Sequence, residues 1–332
     1  MKFLIIGLGS MGKRRIRNLR ALGYYEVTGY DVREDRRKEA EDSYGIAVIS
    51  DLNTISQYDA VVISTSPDTH NAYMRTCIES GKPCFVELSI LVQDLPELDA
   101  LARTSGSLVA PSCTFMFHPS VRLIKETVVS GKYGKVTSFT HYSGQYLPDW
   151  HPWERIGDFF VSKKETSGCK EILSFELHWM TGILGVPQNV FACSGNAMEF
   201  VPELDDVYAV CLGFKNCVGI LLADVVSRFA SRSLIMNMER AQIRWNWEEK
   251  KVRLYDAEHR SWSEYRDPEC RAHEGYNVNI IENMYIDEIR AFIDAVEGKG
   301  TFPNTLGDDI EVLRVIEKIE QARLGEIAKE CK

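Results

Sequence analysis

The first 111 residues alternate strand-like and helix-like segments with a regularity that only a wound α/β sheet accommodates. "KFLIIGLG" (2–9) is a continuous apolar run that ends in glycines, the signature of a strand buried on both faces. "MGKRRIRNLRAL" (11–22) follows with Met11, Ile16, Leu19 and Leu22 on one helical face, and Gly23 ends it. "YEVTGYD" and "DAVVISTS" (59–66) read as strands, "NAYMRTCIESG" as a helix stopped by Gly81, "PCFVEL" as strand, "LPELDALARTSG" as helix and "LVAPS" as strand. Strands joined through helices imply a parallel sheet with right-handed crossovers.

Within that framework "GLGSMG" is a G-x-G-x-x-G turn between the first strand and the first helix. Gly7 permits the tight turn, Gly9 lets backbone approach a pyrophosphate, and Gly12 lets helix and strand pack closely. The helix start, with Ser10 and Met11, offers N–H groups and a dipole to the phosphates. Asp31 ends the second strand at the spacing where a carboxylate bonds the adenosine ribose hydroxyls. These residues predict a dinucleotide site. Asp31 favours NAD over NADP, because a carboxylate repels a 2′-phosphate. Arg33 and its neighbours in "DVREDRR" either soften that preference or form a solvated loop.

The 332 residues suggest two domains, read as 1–118 and 119–332. A net charge of -9 argues against nucleic acid or an anionic membrane as a partner, and the basic run "GKRRIRNLR" reads as one solvated helix face. The nine cysteines are scattered without a C-x-x-C pair, as in a reducing compartment. The N-terminus does not read as a signal peptide and no run reaches transmembrane length, so a cytoplasmic protein is expected. In the second domain "VTSFTHYS", "VYAVCLGF", "VGILLADVVS", "RSLIMNMER", "AQIRWNWE" and "KVRLYDA" alternate as strands of a mostly antiparallel sheet. The fold class expected is α/β: an N-terminal Rossmann doubly wound parallel sheet, then an α+β domain.

"STSPDTH" (64–70), "FMFHPSVRLIKETVVSGKYGKVTSF" and "NMYIDEIRAFIDAVEGKGTFPNTLGDDIEVLRVIEKIEQA" (283–322) resemble the Gfo/Idh/MocA oxidoreductases, the glucose–fructose oxidoreductase and inositol dehydrogenase family. "GQYLPDWHPWE" (144–154) resembles a subgroup found with sugar and nonulosonic-acid biosynthesis genes. The resemblance implies that Ser64, Thr65, Ser66, Pro67 and His70 border the nicotinamide side of the cofactor, with Glu87 in the same set. It implies a carbohydrate substrate. It also implies a homodimer or homotetramer formed through the second sheet, with the C-terminal helices packing back towards the first domain.

One family feature is absent. The proton-transferring lysine of a Glu-Lys-Pro motif is implied after the fifth strand, yet here Glu87 is followed by Leu88 and Ser89. Thr114 and Met116 also stand where asparagine and arginine are common in the family. Its assisting histidine, with an aspartate four residues earlier, maps onto "GCKEILSFELHWMTGILG" (168–185) in two registers. One puts His178 at the histidine and Ser174 at the aspartate; the other puts Phe175 and Glu171 there. Glu171, Ser174 and His178 share a helix face, with Phe175 and Trp179 beside it for a sugar ring. A histidine with a nearby acid suits general acid–base work, and a histidine satisfied in a packed interface is the competing account. The catalytic candidates are His178, Glu171 and Tyr146. Asp149, His151 and Glu154 add possible sugar contacts, with Trp150 and Trp153 as stacking platforms or loop anchors. His118, His141 and Cys113 lack metal-site spacing. Three activities stay open: an NAD-dependent oxidoreductase with non-standard acid–base groups, a nicotinamide-bound sensor without chemistry, and an NAD-dependent glycoside-cleaving enzyme.

Overall fold

The computed structural model describes residues 1–150, 155–158, 160–268 and 281–322. The chain forms two compact units, Met1–Thr114 with Glu282–Ile310, and Phe115–Ile281 with Glu311–Lys332. The first begins β1 (Phe3–Ile6), α1 (Ser10–Ala21), β2 (Val27–Tyr30), α2 (Glu34–Tyr44), β3 (Ala47–Ile49), β4 (Ala60–Ile63), α3 (His70–Glu79), β5 (Cys84–Val86), α4 (Leu95–Ser105), β6 (Val109–Pro111). Its sheet is wholly parallel, in the order β3-β2-β1-β4-β5-β6. Every residue of β1 and β4 is buried, and each such aliphatic side chain contributes about 1.5–3 kcal/mol. The strand order reverses between β1 and β4, the switch point where open α/β sheets take their ligands.

Two elements here are absent from the sequence reading. Residues 34–44, of which only the start in "DVREDRR" (31–37) has a solvated loop as one reading, form α2, in which Ala40 alone is buried, so no apolar stripe marks it. β3 is a short edge strand with no buried residue.

The second unit contains α5 (Pro119–Val129), β7 (Val136–Tyr146), α6 (Gly168–Leu184), β8 (Asn189–Gly195), β9 (Val207–Gly213), β10 (Val218–Asp224), β11 (Val226–Met238), β12 (Ala241–Asn246), β13 (Lys251–Asp256) and β14 (Ser261–Arg266). They make an eight-stranded sheet in the order β14-β13-β12-β11-β7-β10-β9-β8, antiparallel except where β7 meets β10. The sequence pattern predicts neither of its two edge strands, β8 and β14. β14 is exposed throughout and β8 buries only Ala192, so neither alternates clearly.

The chain continues with α7 (Glu282–Val296) in the first unit and α8 (Leu306–Gln321). The turn before α8 is held by Asn304, which donates to the Pro111 carbonyl and to Asp309. No helix among the described residues is long and apolar enough to cross a membrane.

Each unit has a charged core. In the first, the basic run is not simply a solvated face: Arg14 is 3% and Arg15 0% exposed. Arg15 donates to both Glu87 oxygens at 2.7 and 2.9 Å and to Glu288 of α7 at 2.9 Å. Glu288 in turn accepts from the Ser112 hydroxyl, the Cys113 N–H and the Thr114 hydroxyl. Burial pushes the Glu288 carboxyl up against the opposing pull of Arg15. In the second unit Glu176 of α6 accepts from His141 at 2.7 Å, Arg232 at 2.6 Å, Ser143 at 2.9 Å and the Trp179 indole at 2.8 Å. Burial pushes the Glu176 carboxyl up, but Arg232 and His141 outweigh it and hold it well below the usual range.

His118 caps α5 through Nδ1, which accepts the Ser120 N–H. Burial, then the Arg232 cation, hold its imidazole down to about 3 from 6.5. The unfolded chain therefore takes up this proton at a higher pH than the folded one. Stability is fully present above 6.5 and falls as pH drops towards 3, at about 1.4 kcal/mol per unit from this group. Calorimetric melting at pH 7, 6, 5 and 4 is expected to show that fall, and His118→Asn, which keeps a capping acceptor, to flatten it. An unchanged slope in the variant would assign the proton uptake to other groups.

Candidate functional site

In the first unit the β1–α1 turn is built by steric necessity. Gly7 has φ +94°, and a Cβ there would lie 2.5 Å from the Ser64 carbonyl oxygen. A Cβ on Gly12 would lie 1.9 Å from the Gly7 oxygen. Both glycines are therefore required by the protein's own packing. Gly9 is different. Its φ of -72° suits any residue, and a Cβ there would meet only the Arg36 side chain, at 3.5 Å. Nothing among the described residues demands glycine at 9, and the bare backbone there leaves space for a phosphate group at the start of α1. Gly9 is also the N-cap of α1 and supplies no side-chain cap.

Asp31 closes the other side of this turn. It is 5% exposed and accepts the backbone N–H groups of Leu8 and Arg33. Arg36, on α2, stands 3.8 Å from it. Met11 accepts from Arg14 through its sulfur. The β4–α3 turn holds itself: Ser66 donates to Asp68, Thr69 donates to Thr65 and to the Ser66 carbonyl, and Pro67 opens a 3-10 turn. His70 begins α3 and bonds the Thr65 carbonyl through Nε2 at 3.0 Å; burial pushes its pKa down. It fixes the turn as a neutral ring. Ser64 donates to Glu87, whose oxygens are otherwise engaged by Arg15. Glu87 thus sits behind the turn as a support. Leu88, Ser89 and Ile90 after it are buried.

In the second unit α6 carries Glu171, Ser174 and His178. The His178 Nδ1 lies 2.6 Å from the Ser174 carbonyl. A carbonyl only accepts, so Nδ1 carries the proton and Nε2 is the basic nitrogen. Glu171 is two turns earlier, about 10 Å along the axis, so Ser174 rather than Glu171 orients the ring. Phe175 meets Phe115 edge-on at 6.1 Å. Trp179 does not flank a ligand as expected. It is 1% exposed, because three residues past Glu176 its indole turns into the core and donates to that carboxylate. Tyr146, at the end of β7, has Phe200 edge-on at 5.5 Å and Arg228 4.0 Å over its ring. Asp149 is exposed, and Trp150 packs beside Gly168 as an anchor for α6. His151, Trp153 and Glu154 lie outside the described residues, as do Cys270 and Cys331. Among the described residues no cluster of His, Cys, Asp and Glu is arranged to hold a metal.

Sequence reasoning missed Arg15, Glu176, Arg232 and Glu288. None of the four carries a signal in its sequence neighbours, because ion pairs to residues distant in sequence bury them.

Comparison with known proteins agrees with the glycine turn. Residues 1–112 match the model of the Gfo/Idh/MocA oxidoreductase family, an NAD-binding Rossmann fold. Over 148 residues the chain is 27% identical to the myo-inositol 2-dehydrogenase of Thermotoga maritima, covering 41% of this chain and 42% of that protein. The chain therefore spans less than half of that relative's length. Among solved structures, a levoglucosan dehydrogenase in complex with NADH and levoglucosan aligns at TM-score 0.83 and 17% identity, covering 97% of this chain and 96% of that one. An Agrobacterium radiobacter oxidoreductase in complex with NAD+, L-tartaric acid and magnesium also aligns at 0.83, with 13% identity and coverage of 98% and 96%. These likenesses establish a shared fold.

The two kinds of glycine separate experimentally. Gly9→Val is expected to melt within about 2 °C of the parent, since 1 kcal/mol shifts a domain by a few degrees, yet to bind NAD at least about tenfold more weakly. Gly12→Ala is expected to lose stability itself. Melting curves and NAD titration on the two variants check this. Equal NAD affinity in Gly9→Val would remove the ligand explanation for that glycine.

Proposed function

We propose that this chain, whose first 112 residues match the model of the Gfo/Idh/MocA oxidoreductase family, is an NAD-dependent oxidoreductase acting on a sugar, amino sugar or nucleotide sugar. The observation that carries this is the glycine at position 9, which the protein's own packing does not require and a bound dinucleotide does. Gly7, Gly9, Ser10, Met11 and Gly12 hold the phosphates and Asp31 the ribose. Ser64, Thr65, Ser66 and Pro67 shape the far side, with His70 and Glu87 as their supports. Bound NAD supplies the hydride acceptor or donor.

The remaining demand on the protein is a proton. Leu88 cannot move one, and no other side chain in "LSILVQDL" takes the role by proximity to Glu87. His178 is the best-prepared candidate, since its tautomer is fixed with Nε2 basic. Glu171 and Tyr146 are secondary, and neither has a described hydrogen bond to His178. A sensor without chemistry remains the alternative that the loss of lysine favours.

Assembly follows from the second sheet. On its outer face Phe191, Val218, Ile220 and Leu222 are 60, 50–56 and 36% exposed, and Phe191, Cys211 and Ile220 stand in one cross-strand row. Such a face suits a second copy of the chain.

Incubation with NAD and a panel of sugars, followed by absorbance of the reduced cofactor, is expected to give turnover. His178→Asn should lower kcat by about 10²–10⁴-fold with NAD affinity unchanged. NAD binding without turnover on any sugar, in either direction, would favour the sensor. Light scattering is expected to give at least twice the 37.8 kDa chain mass, and Ile220→Glu to reduce it. A monomeric parent would refute the assembly.

A further inference from the structure

The core of the second unit holds a surplus of hydrogen-bond donors on three side chains. Arg232, on β11, is 3% exposed. Its Nε is committed to Glu176 at 2.6 Å, and its guanidinium lies 4.4 Å over the Phe115 ring and 4.6 Å over the Trp247 ring. Aromatic faces attract the cation but supply no lone pair in the plane of the fork. Among the described residues nothing accepts from either Nη group. His118, 0% exposed, stacks on the same Phe115 at 5.8 Å. Its Nδ1 accepts from Ser120, so the neutral ring carries its proton on Nε2, and that atom has no partner among the described residues. Trp245 lies 5.4 Å from His118, ring to ring, and its buried Nε1–H also has no partner among the described residues.

Leaving the enclosed His118 and Trp245 donors without acceptors costs about 1–3 kcal/mol each. Water is a poor remedy, because it must donate as well as accept. Glu176, the carboxylate that Arg232 meets, already accepts from His141, Ser143, Trp179 and Arg232. An oxyanion accepts from every side and donates nothing. Arg232 is also prepared to receive one. Its anchor Glu176 is itself immobilised, so the planar fork is held in place before any ligand arrives, which is the arrangement that favours carboxylate recognition. The chain as a whole carries a net charge of -9, so an anionic ligand would need a local cation of this kind.

We propose that Arg232, with His118 and Trp245, binds a carboxylate carried by the substrate, which makes the substrate class a uronate or related sugar acid rather than a neutral sugar. This rests on the sugar oxidoreductase reading for the identity of the ligand, but not for the existence of the oxyanion site.

The test is calorimetric titration of the full chain, saturated with NAD, against D-glucuronate, D-galacturonate and D-mannuronate and against the parent hexoses. At least one uronate is expected to bind about tenfold or more tightly than its hexose. Arg232→Lys keeps the charge beside Glu176 but loses the fork. It is expected to bind the uronate about tenfold or more weakly and so to lose that preference. Acetate is expected to displace the uronate from the parent protein, a measurement that stands even if the variant fails to fold. Equal binding of uronate and hexose, no uronate binding, or an acetate-insensitive complex would overturn the proposal. NADH formation is read in the same samples. Arg232-dependent uronate binding without NADH keeps the site and removes the oxidoreductase. Turnover of neutral hexoses with no preference for any uronate keeps the oxidoreductase and removes the site.

Discussion

A guanidinium buried between two carboxylates is the constraint around which the first unit is organised. Arg15 leaves α1 from directly behind the glycine turn and joins Glu87 at the end of β5 to Glu288 on α7. Glu288 then collects donors from residues 112–114 after β6. Four segments far apart in sequence are tied through one cation. Removing one partner of such a group leaves a buried charge unpaired, at about 3–5 kcal/mol. The arrangement also gives Glu87 a structural role. Its carboxylate has work to do in holding Ser64 and α1, whatever residue follows it.

The second unit repeats the device with different chemistry. Glu176 joins α6 to β7 and β11 through His141, Ser143 and Arg232. Because Glu176 points into the sheet, Trp179 must follow it inward. Glu171, Ser174 and His178 occupy the neighbouring face, and Ser174 sets the tautomer of His178. The residues that fix α6 and the residue suited to move a proton are thus different members of one helix. Arg232 belongs to both concerns: one edge secures the helix and the other lacks any described acceptor.

Much of this was legible in the linear order of residues. Continuous apolar runs ending in glycine can only be buried parallel strands, and G-x-G-x-x-G followed by Asp31 specifies a turn whose geometry depends on local sterics. Local rules decide such features, so local sequence reports them. α2 escaped because a helix that buries only Ala40 has no apolar face to read. β14 escaped because an edge strand exposed on both faces does not alternate.

By itself, then, the sequence determined the two sheet types, the dinucleotide turn and the absence of a lysine beside Glu87. Only the tertiary structure decided which charges are buried. "GKRRIRNLR" reads as a solvated basic face, yet Arg15 is fully enclosed, because its partners Glu87 and Glu288 lie 72 and 273 residues away. In the same way nothing near Arg232 in sequence announces Glu176 or the rings of Phe115 and Trp247. Desolvation and pairing depend on distance in space, and a residue's neighbours in sequence do not encode the partners that burial will demand.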